Sequence, residues 1–297
     1  MKKSLKSALA VTAAAGLVAL AGCSSEPTEA LDNGDQQDIT VAVFNGWPEG
    51  EAVSYLWQAV LEEEGYNVEL EYAEVVTGFE GLASGDYDVN LDVWLPVTHE
   101  SYLESYGDEI VDLGTWNNEA TNNIAVNADA PVESLEDLAA NAELFGSRIV
   151  GIEPGAGLTG LTQDAVIPGY GLDDWTLETS STAAMLTELT AAEESGENIA
   201  VTLWHPHWAY DAFDIKDLAD PQGALGDAEG IHSFARADFE SDYPTASEWI
   251  SNFEMDTDTL GGLQNAMFGS EADSSEYEEI VATWISENQE WVDGLTS

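Results

Sequence analysis

The sequence predicts an α/β protein with largely parallel sheets, and three observations support this fold class. Short apolar runs typical of strands alternate with helical segments along most of the chain. Helix boundaries are marked locally, as by the capping-box sequence of residues 134–137. The 297 residues are 44% hydrophobic and include 10 Trp, 10 Tyr and 8 Phe, enough for a sizeable core. At about 150 residues per domain, this length predicts about two domains.

Each element is predicted from its local pattern, in chain order. Apolar and β-branched runs predict the strands, which we place at residues 39–44, 68–72, 89–93, 110–113, 148–152, 175–179 and 199–203. Glycines and capping residues bound the helices, which we place at residues 51–64, 99–106, 134–145, 158–166, 182–194 and 278–295. The tail from residue 244 is expected to be mostly helical.

The N-terminus predicts export. A basic start, a 13-residue apolar run over residues 8–20 and a small-residue cleavage site predict a signal peptide at residues 1–22, too short for a membrane span. The cleavage sequence Leu-Ala-Gly-Cys resembles the bacterial lipobox, which implies that Cys23 is lipidated; an incidental thiol is the alternative. Polar residues 23–37 predict a flexible tether. We therefore expect a lipid-anchored protein on the extracytoplasmic face of the membrane.

The charge of the chain is extreme. It has 58 acidic and 6 basic residues, a net charge of −52, and without residues 1–22 the charge is −55. Binding to nucleic acid is excluded, because it needs many Lys and Arg contacts with phosphates, and docking on anionic lipid is disfavoured. Mutual repulsion of the carboxylates predicts a protein that works in brine, where salt screens charges over about 3 Å at 1 M.

Three tryptophans share one position in the strand pattern. Trp47, Trp94 and Trp204 each end a strand-like run and are followed by proline one or two residues later. Proline ends strand pairing, so each indole should lie at the carboxyl edge of a parallel strand. Ligands of open α/β sheets bind at that edge.

Several indole faces suit a quaternary ammonium group. This cation has no N–H to donate, but aromatic faces attract it by about 0.5 to 2 kcal/mol each. A carboxylate at the same place would repel the negative end of a zwitterion, so we expect the cage to be aromatic.

Two features are suited to the negative end of such a ligand. The ring of His99, at the start of a predicted helix, can donate a hydrogen bond in either protonation state. The glycine-rich turn at residues 151–157 leads into a helix, whose first backbone N–H groups are free to bind an anion.

From about residue 38 to its end, the chain resembles the extracellular solute-binding proteins of glycine betaine ABC transporters. The motifs that carry the resemblance keep their order over both halves; they are Gly46-Trp47 and residues 92–99, 151–157, 180–185, 204–208 and 218–221. The resemblance implies a two-lobed periplasmic-binding-protein clamshell, in which each lobe is a mainly parallel sheet flanked by helices and the ligand lies in the cleft. Residues 38–124 and 233–297 would form lobe 1, and residues 125–232 lobe 2.

The resemblance also assigns the site. It implies a box of Trp47, Trp94 and Trp204 around trimethylammonium, with His99 and the amides of Gly157 and Leu158 on the carboxylate. It further implies a monomeric importer component for osmoprotection that delivers glycine betaine, or a related solute, to a permease with its ATPase. Choline, carnitine and proline betaine are the alternatives. We expect neither enzymatic activity nor a cofactor or metal.

The sequence also allows other interpretations. His205 and His207 form a His-x-His pair that suggests a secreted metal-dependent hydrolase, but zinc needs at least one further ligand. A carbohydrate-binding module that stacks sugars on Trp is a third possibility. The remaining tryptophans are assigned to packing, including Trp208, whose motif leaves its role open; they are Trp57, Trp116, Trp175, Trp208, Trp249, Trp284 and Trp291.

Overall fold

The computed structural model describes residues 30–269 and 272–297. The predicted signal peptide, Cys23 and the first part of the predicted tether lie outside the described residues. Within them, no helix combines the length and apolar composition that a membrane crossing requires.

Strands and helices alternate as predicted over the described residues. The strands are β1 Asp38–Phe44, β2 Asn67–Ala73, β3 Val89–Leu95, β4 Ile110–Asn127, β5 Arg148–Val150, β6 Thr176–Glu178, β7 Ala200–His205, β8 Ile215–Asp217 and β9 Glu229–Arg236. The helices are α1 Pro48–Glu63, α2 Val75–Ser84, α3 Glu100–Tyr106, α4 Leu135–Leu138, α5 Gly157–Leu161, α6 Ile167–Gly169, α7 Thr182–Ser195, α8 Ala209–Ala212, α9 Phe239–Asp242, α10 Pro244–Ser251, α11 Thr257–Phe268, α12 Tyr277–Glu287 and α13 Gln289–Val292. A 3₁₀ segment, Ala139–Phe145, follows α4, and a π-helical turn, Thr162–Val166, follows α5.

The strands form a curled mixed sheet in the order β2-β1-β3-β9-β4-β7-β5-β6, with β8 also paired to β4. The α/β class is confirmed, and the pairs β1–β2, β1–β3, β5–β6 and β5–β7 are parallel as predicted. The central strands β9 and β4 instead pair antiparallel with their neighbours. The sheet is therefore mixed at its centre and parallel towards its ends.

Strand β4 joins two parts of the sheet. It pairs with β9 as far as Ala120 and with β7 from Thr121 onward. Only its first residues were predicted as a strand, because the rest is polar and has no apolar alternation. Its pairing with β9 is interrupted by three register shifts, so long-range pairing, and not local sequence pattern, accounts for its length.

The core lies between the sheet and its helices. Strand β3 is buried from Val89 to Trp94, and α1 packs Leu56, Trp57 and Leu61 against the sheet. Of the tryptophans assigned to packing, Trp57, Trp116, Trp175 and Trp284 are buried, and Trp249 and Trp291 pack partly buried against the core. The predicted capping box is also present, because Ser134 accepts a hydrogen bond from the Glu136 amide and Asp137 accepts one from the Ser134 amide.

The end of the predicted tether is packed onto the domain. Asp35 is fully buried and accepts hydrogen bonds from the amides of Thr245 and Ala246 at the start of α10, and from the Tyr66 hydroxyl. Leu31 packs against the core. The prediction of a flexible tether up to residue 37 was therefore wrong for its last residues, because a buried carboxylate caps a helix distant in sequence.

Candidate functional site

A cavity lies at the carboxyl ends of β1, β3 and β7, with about 280 Å³ of free space when its opening to solvent is included. Its lining brings together residues from both parts of the sheet: Trp47, Glu49, Trp94, Thr98, His99, Asn122, Ile152, Ala156, Gly157, Leu158 and Trp204. All six predicted ligand-binding residues are among them.

The three tryptophans reach the cavity from equivalent places in the fold. Trp47 is the N-cap of α1, directly after the turn that follows β1, where Gly46 adopts a positive φ of 81°. Trp94 and Trp204 are the penultimate residues of β3 and β7, and a proline follows each two residues later. All three side chains are buried. The shared sequence position therefore corresponds to a shared edge of the sheet.

His99 is held as a neutral hydrogen-bond donor. Its Nδ1 accepts a hydrogen bond from the Trp94 amide at 2.9 Å, so the ring proton of the neutral form is on Nε2. Burial lowers the pKa of His99 to about 3. Nε2 is buried and has no hydrogen-bond partner among the described residues, while the ring stacks on Trp47. The site thus contains an uncharged N–H that is free to bind an acceptor.

Gly157 and Leu158 occupy the first two positions of α5. N–H groups at the start of a helix have no intrahelical acceptor, and neither of these two amides has another acceptor among the described residues. A Cβ at Gly157 would lie only 2.0 Å from the Thr98 carbonyl oxygen. This turn can therefore approach the β3–α3 connection closely only because residue 157 is glycine.

Hydrogen bonds join the two sides of the cavity. The Tyr102 hydroxyl, on α3, donates to the Gly155 carbonyl at 2.7 Å. Glu229, at the start of β9, accepts from the amides of Val97 and Thr98 at 2.6 and 2.9 Å and from Asn122 at 3.1 Å. These contacts position the β3–α3 connection, which carries His99, against the turn that leads into α5.

Two acidic residues with buried carboxyl groups lie at the cage and were not predicted from the sequence. Glu49 lines the cavity, and Asp92 accepts a hydrogen bond from the Trp94 indole at 2.9 Å. These acids lie beside the indoles, although a carboxylate there would repel the negative end of a zwitterion. The sequence does contain an indication of these two acids, since Glu49 follows Trp47 by two residues and Asp92 precedes Trp94 by two.

The His-x-His pair lies outside this cavity lining. His205 is hydrogen-bonded to Asp217 at 2.8 Å, and His207 is buried with its Nδ1 accepting from the Ala209 amide. No group of three or more His, Cys, Asp or Glu side chains suited to a metal occurs in the described part of the chain. Trp208 stacks on His207 and contacts Phe213, away from the cavity.

The fold and the cavity define the class. A curled α/β sheet in two lobes, with a small-molecule cavity at the strand ends between them, is the architecture of periplasmic binding proteins. Residues 37–287 match the family model described as the substrate binding domain of ABC-type glycine betaine transport systems. The chain belongs to this family.

Individual relatives agree with this assignment. The chain is 37% identical over 172 residues to the glycine betaine/carnitine transport binding protein GbuC of Listeria monocytogenes, an alignment that spans 56% of this chain and 55% of that relative. The crystal structure of lactococcal OpuAC, closed on glycine betaine, matches with a TM-score of 0.81 at 28% identity, covering 88% of this chain and all of that one. ProX of Borrelia burgdorferi matches with the same TM-score at 27% identity, covering 88% and 97%.

Proposed function

We propose that this protein captures glycine betaine, or a closely related quaternary ammonium solute, and presents it to an ABC permease with its ATPase. The observation that carries the proposal is the composition of the cavity lining. Trp47, Trp94 and Trp204 line the same cavity as His99, whose neutral Nε2–H has no hydrogen-bond partner among the described residues. Indole faces attract trimethylammonium. His99 and the amides of Gly157 and Leu158 would receive the carboxylate.

The domain organisation follows from the same proposal. We propose lobes of residues 38–124 with 233–297 and of residues 125–232. The pairing of β4 changes between Ala120 and Thr121, and β9 begins at Glu229, each within a few residues of these boundaries. Closure of the lobes on the ligand would create the form that the permease recognises, since a ligand stabilises the state that it binds better.

The location is part of the proposal. The first 22 residues would direct export, and Cys23 would carry the lipid that anchors the protein, as a monomer, to the outer face of the membrane. Mass spectrometry of the protein from its membrane should find an acylated Cys23 as the first residue. A protein that begins at Met1 and carries no lipid would contradict the anchor without affecting the binding proposal.

Calorimetric titration with glycine betaine tests the binding proposal. We expect saturable binding of one ligand per chain and a change in tryptophan fluorescence. The Trp94→Ala variant should bind about 10- to 30-fold more weakly, because one desolvated indole contributes up to about 2 kcal/mol. Trp208→Phe, a change outside the cavity lining, is the matched control and should bind normally. If none of glycine betaine, choline, carnitine and proline betaine binds the wild type, the proposal is wrong.

A further inference from the structure

Two carboxyl groups are buried together beside the indole cage. Glu49, in the first turn of α1, and Asp92, on β3, are each only 1% exposed. The start of α1 lies directly against Asp92, since a Cβ at Gly50 would be 2.4 Å from Asp92 Oδ2, and the two carboxyl groups interact electrostatically. Glu49 Oε2 and Asp92 Oδ2 are buried without a hydrogen-bond partner among the described residues. Each group of the pair therefore has one acceptor oxygen that no donor in residues 30–269 or 272–297 satisfies.

Two other acids near the cavity, Glu153 and Glu229, have hydrogen-bond donors for their carboxyl oxygens. Glu153 accepts from the amide and the hydroxyl of Thr182 at 2.8 and 3.0 Å, and Glu229 accepts from Val97, Thr98 and Asn122. Oxygens of these two carboxyl groups are thus bound by donors of the protein. Glu49 has Trp204 near it, but the Trp204 Nε1 makes no hydrogen bond of normal geometry. The unsatisfied pair is thus the part of the site best suited to hold a proton.

Burial favours the protonated form of both groups. It raises the pKa of Glu49 to about 8, an effect that Trp204 partly offsets. Burial and the neighbouring Glu49 raise the pKa of Asp92 well above its ordinary value, although the Trp94 indole partly stabilises the ionised form. At pH 7, Glu49 is therefore mostly uncharged while the cavity holds no cation.

The surroundings contain little else that would titrate with Glu49. His99, from the start of α3, remains neutral, since its pKa is lowered to about 3. His207, which packs edge-on against Trp204, has its pKa lowered to about 3 as well. From α12, Tyr277 and Glu278 interact with other acids of α1, namely Glu51 and Glu62. A change in the charge of the site near neutral pH is therefore assigned to the Glu49–Asp92 pair.

We propose that Glu49 is a specificity-determining residue whose proton is released when a quaternary ammonium group enters the cage, an inference that rests on the function proposed above. The Glu49 O–H bond breaks, the electron pair stays on the carboxylate and the proton passes to solvent buffer. The cation then lies beside a carboxylate of opposite charge. An ionised Glu49 would stabilise a net cation such as choline more than a zwitterion, whose own carboxylate cancels part of the charge.

Release of a proton from Glu49 makes the affinity for the ligand depend on pH. Because the ionised form of Glu49 binds the cation better, the affinity for choline should rise as the pH approaches 8, by at most about tenfold per pH unit, and then level off. The affinity for glycine betaine should rise less. The preference for the zwitterion over the cation should therefore be greatest at low pH.

Calorimetry of the full chain with choline and with glycine betaine, at pH 7 in phosphate and in Tris, measures the proton release. These buffers differ in ionisation enthalpy, so a buffer-dependent binding heat reports the protons set free. We expect up to one proton per choline and fewer per glycine betaine. Glu49→Gln should abolish the release and make choline affinity independent of pH, while glycine betaine still binds.

Two further variants separate the proposal from a folding defect. Glu51→Gln lies in the same helical turn but outside the cavity lining, bonded to Tyr72, and should release protons like the wild type. Asp92→Asn retains an oxygen for the Trp94 indole but removes the second titratable group of the pair, so release should persist if Glu49 is its source. Equal binding heats in both buffers for the wild type, or unchanged release in Glu49→Gln, would overturn this inference alone. Failure of both ligands to bind would overturn the proposed function as well.

Discussion

At the scale of single residues, one hydrogen bond determines which nitrogen of His99 carries the ring proton. The Trp94 amide occupies Nδ1, and burial keeps the ring neutral, so the remaining Nε2–H is a donor of known position. The local sequence places His99 five residues after Trp94. Their contact across the end of β3 follows from this short separation, and the proximity of the two was therefore predictable.

A His99→Ala variant tests this donor. We expect glycine betaine affinity to decrease about 10- to 100-fold, because a hydrogen bond to a charged group contributes roughly 1.5 to 3 kcal/mol. Choline, which lacks the carboxylate, should be affected far less. Calorimetry with both ligands provides the comparison, and an equal loss for both would contradict the role assigned to His99.

The pH dependence of unfolding tests the charge state of Glu49 without any ligand. Its pKa is about 8 in the folded protein and 4.5 ordinarily, so the folded state holds the proton more tightly. The stabilisation that accompanies this is fully present below the ordinary value and is lost as pH rises to about 8. We expect the Tm of the wild type, relative to Glu49→Gln, to fall between pH 5 and pH 8. A constant difference in scanning calorimetry would contradict the raised pKa.

At the scale of elements, α5 approaches the β3–α3 connection closely across the cavity. Gly157 lies where a Cβ would overlap the Thr98 carbonyl oxygen, and Tyr102 bonds the Gly155 carbonyl. These contacts join parts of the fold that we assign to different lobes. They are the contacts that opening of the cleft would break.

A Gly157→Ala variant should therefore hinder closure. We expect glycine betaine affinity to fall at least about tenfold, since lobes that cannot close bury less of the ligand. The control is Gly160→Ala on the same helix, where a Cβ would meet nothing within 4 Å. Titration of both variants distinguishes closure from general helix effects, and equal affinities would show that the Thr98 contact is unimportant.

The packing of Asp35 makes a separate prediction for α10. Asp35→Ala removes the acceptor for the amides of Thr245 and Ala246, both at the start of this helix. We expect a loss of about 1 to 3 kcal/mol in the free energy of unfolding, as for a lost cap or an unsatisfied buried donor. Urea denaturation measures it. The neighbouring exposed Asp32→Ala should have little effect.

At the scale of the whole molecule, repulsion between acidic residues is the dominant electrostatic feature. In the described part of the chain, the cations Arg148, Lys216 and Arg236 are each bound to carboxylates. Three cations balance only a small part of the charge of 58 acidic residues, so the remaining negative charge must be screened by the medium.

The protein should therefore be stabilised by salt. We expect its Tm to rise between low salt and 1 M or higher KCl, because the screening length shortens from about 30 Å at 0.01 M to about 3 Å at 1 M. Thermal unfolding in a KCl series is the measurement. A Tm that stays constant or falls would contradict adaptation to brine.

Local patterns in the sequence were sufficient for most elements, for the charge and for the positions of the cage tryptophans. Strand and helix periodicities, the Ser134 capping box and the Trp-to-Pro spacing act over a few residues, so they can be recognised without knowing the fold. Local patterns could not predict the direction and length of β4 and β9 or the burial of Asp35, because these depend on the three-dimensional arrangement. The proton affinity of Glu49 does so too, because it depends on burial and on Trp204, which is distant in the chain. Long-range packing decides which charges lose their water, and a linear pattern contains no direct record of it.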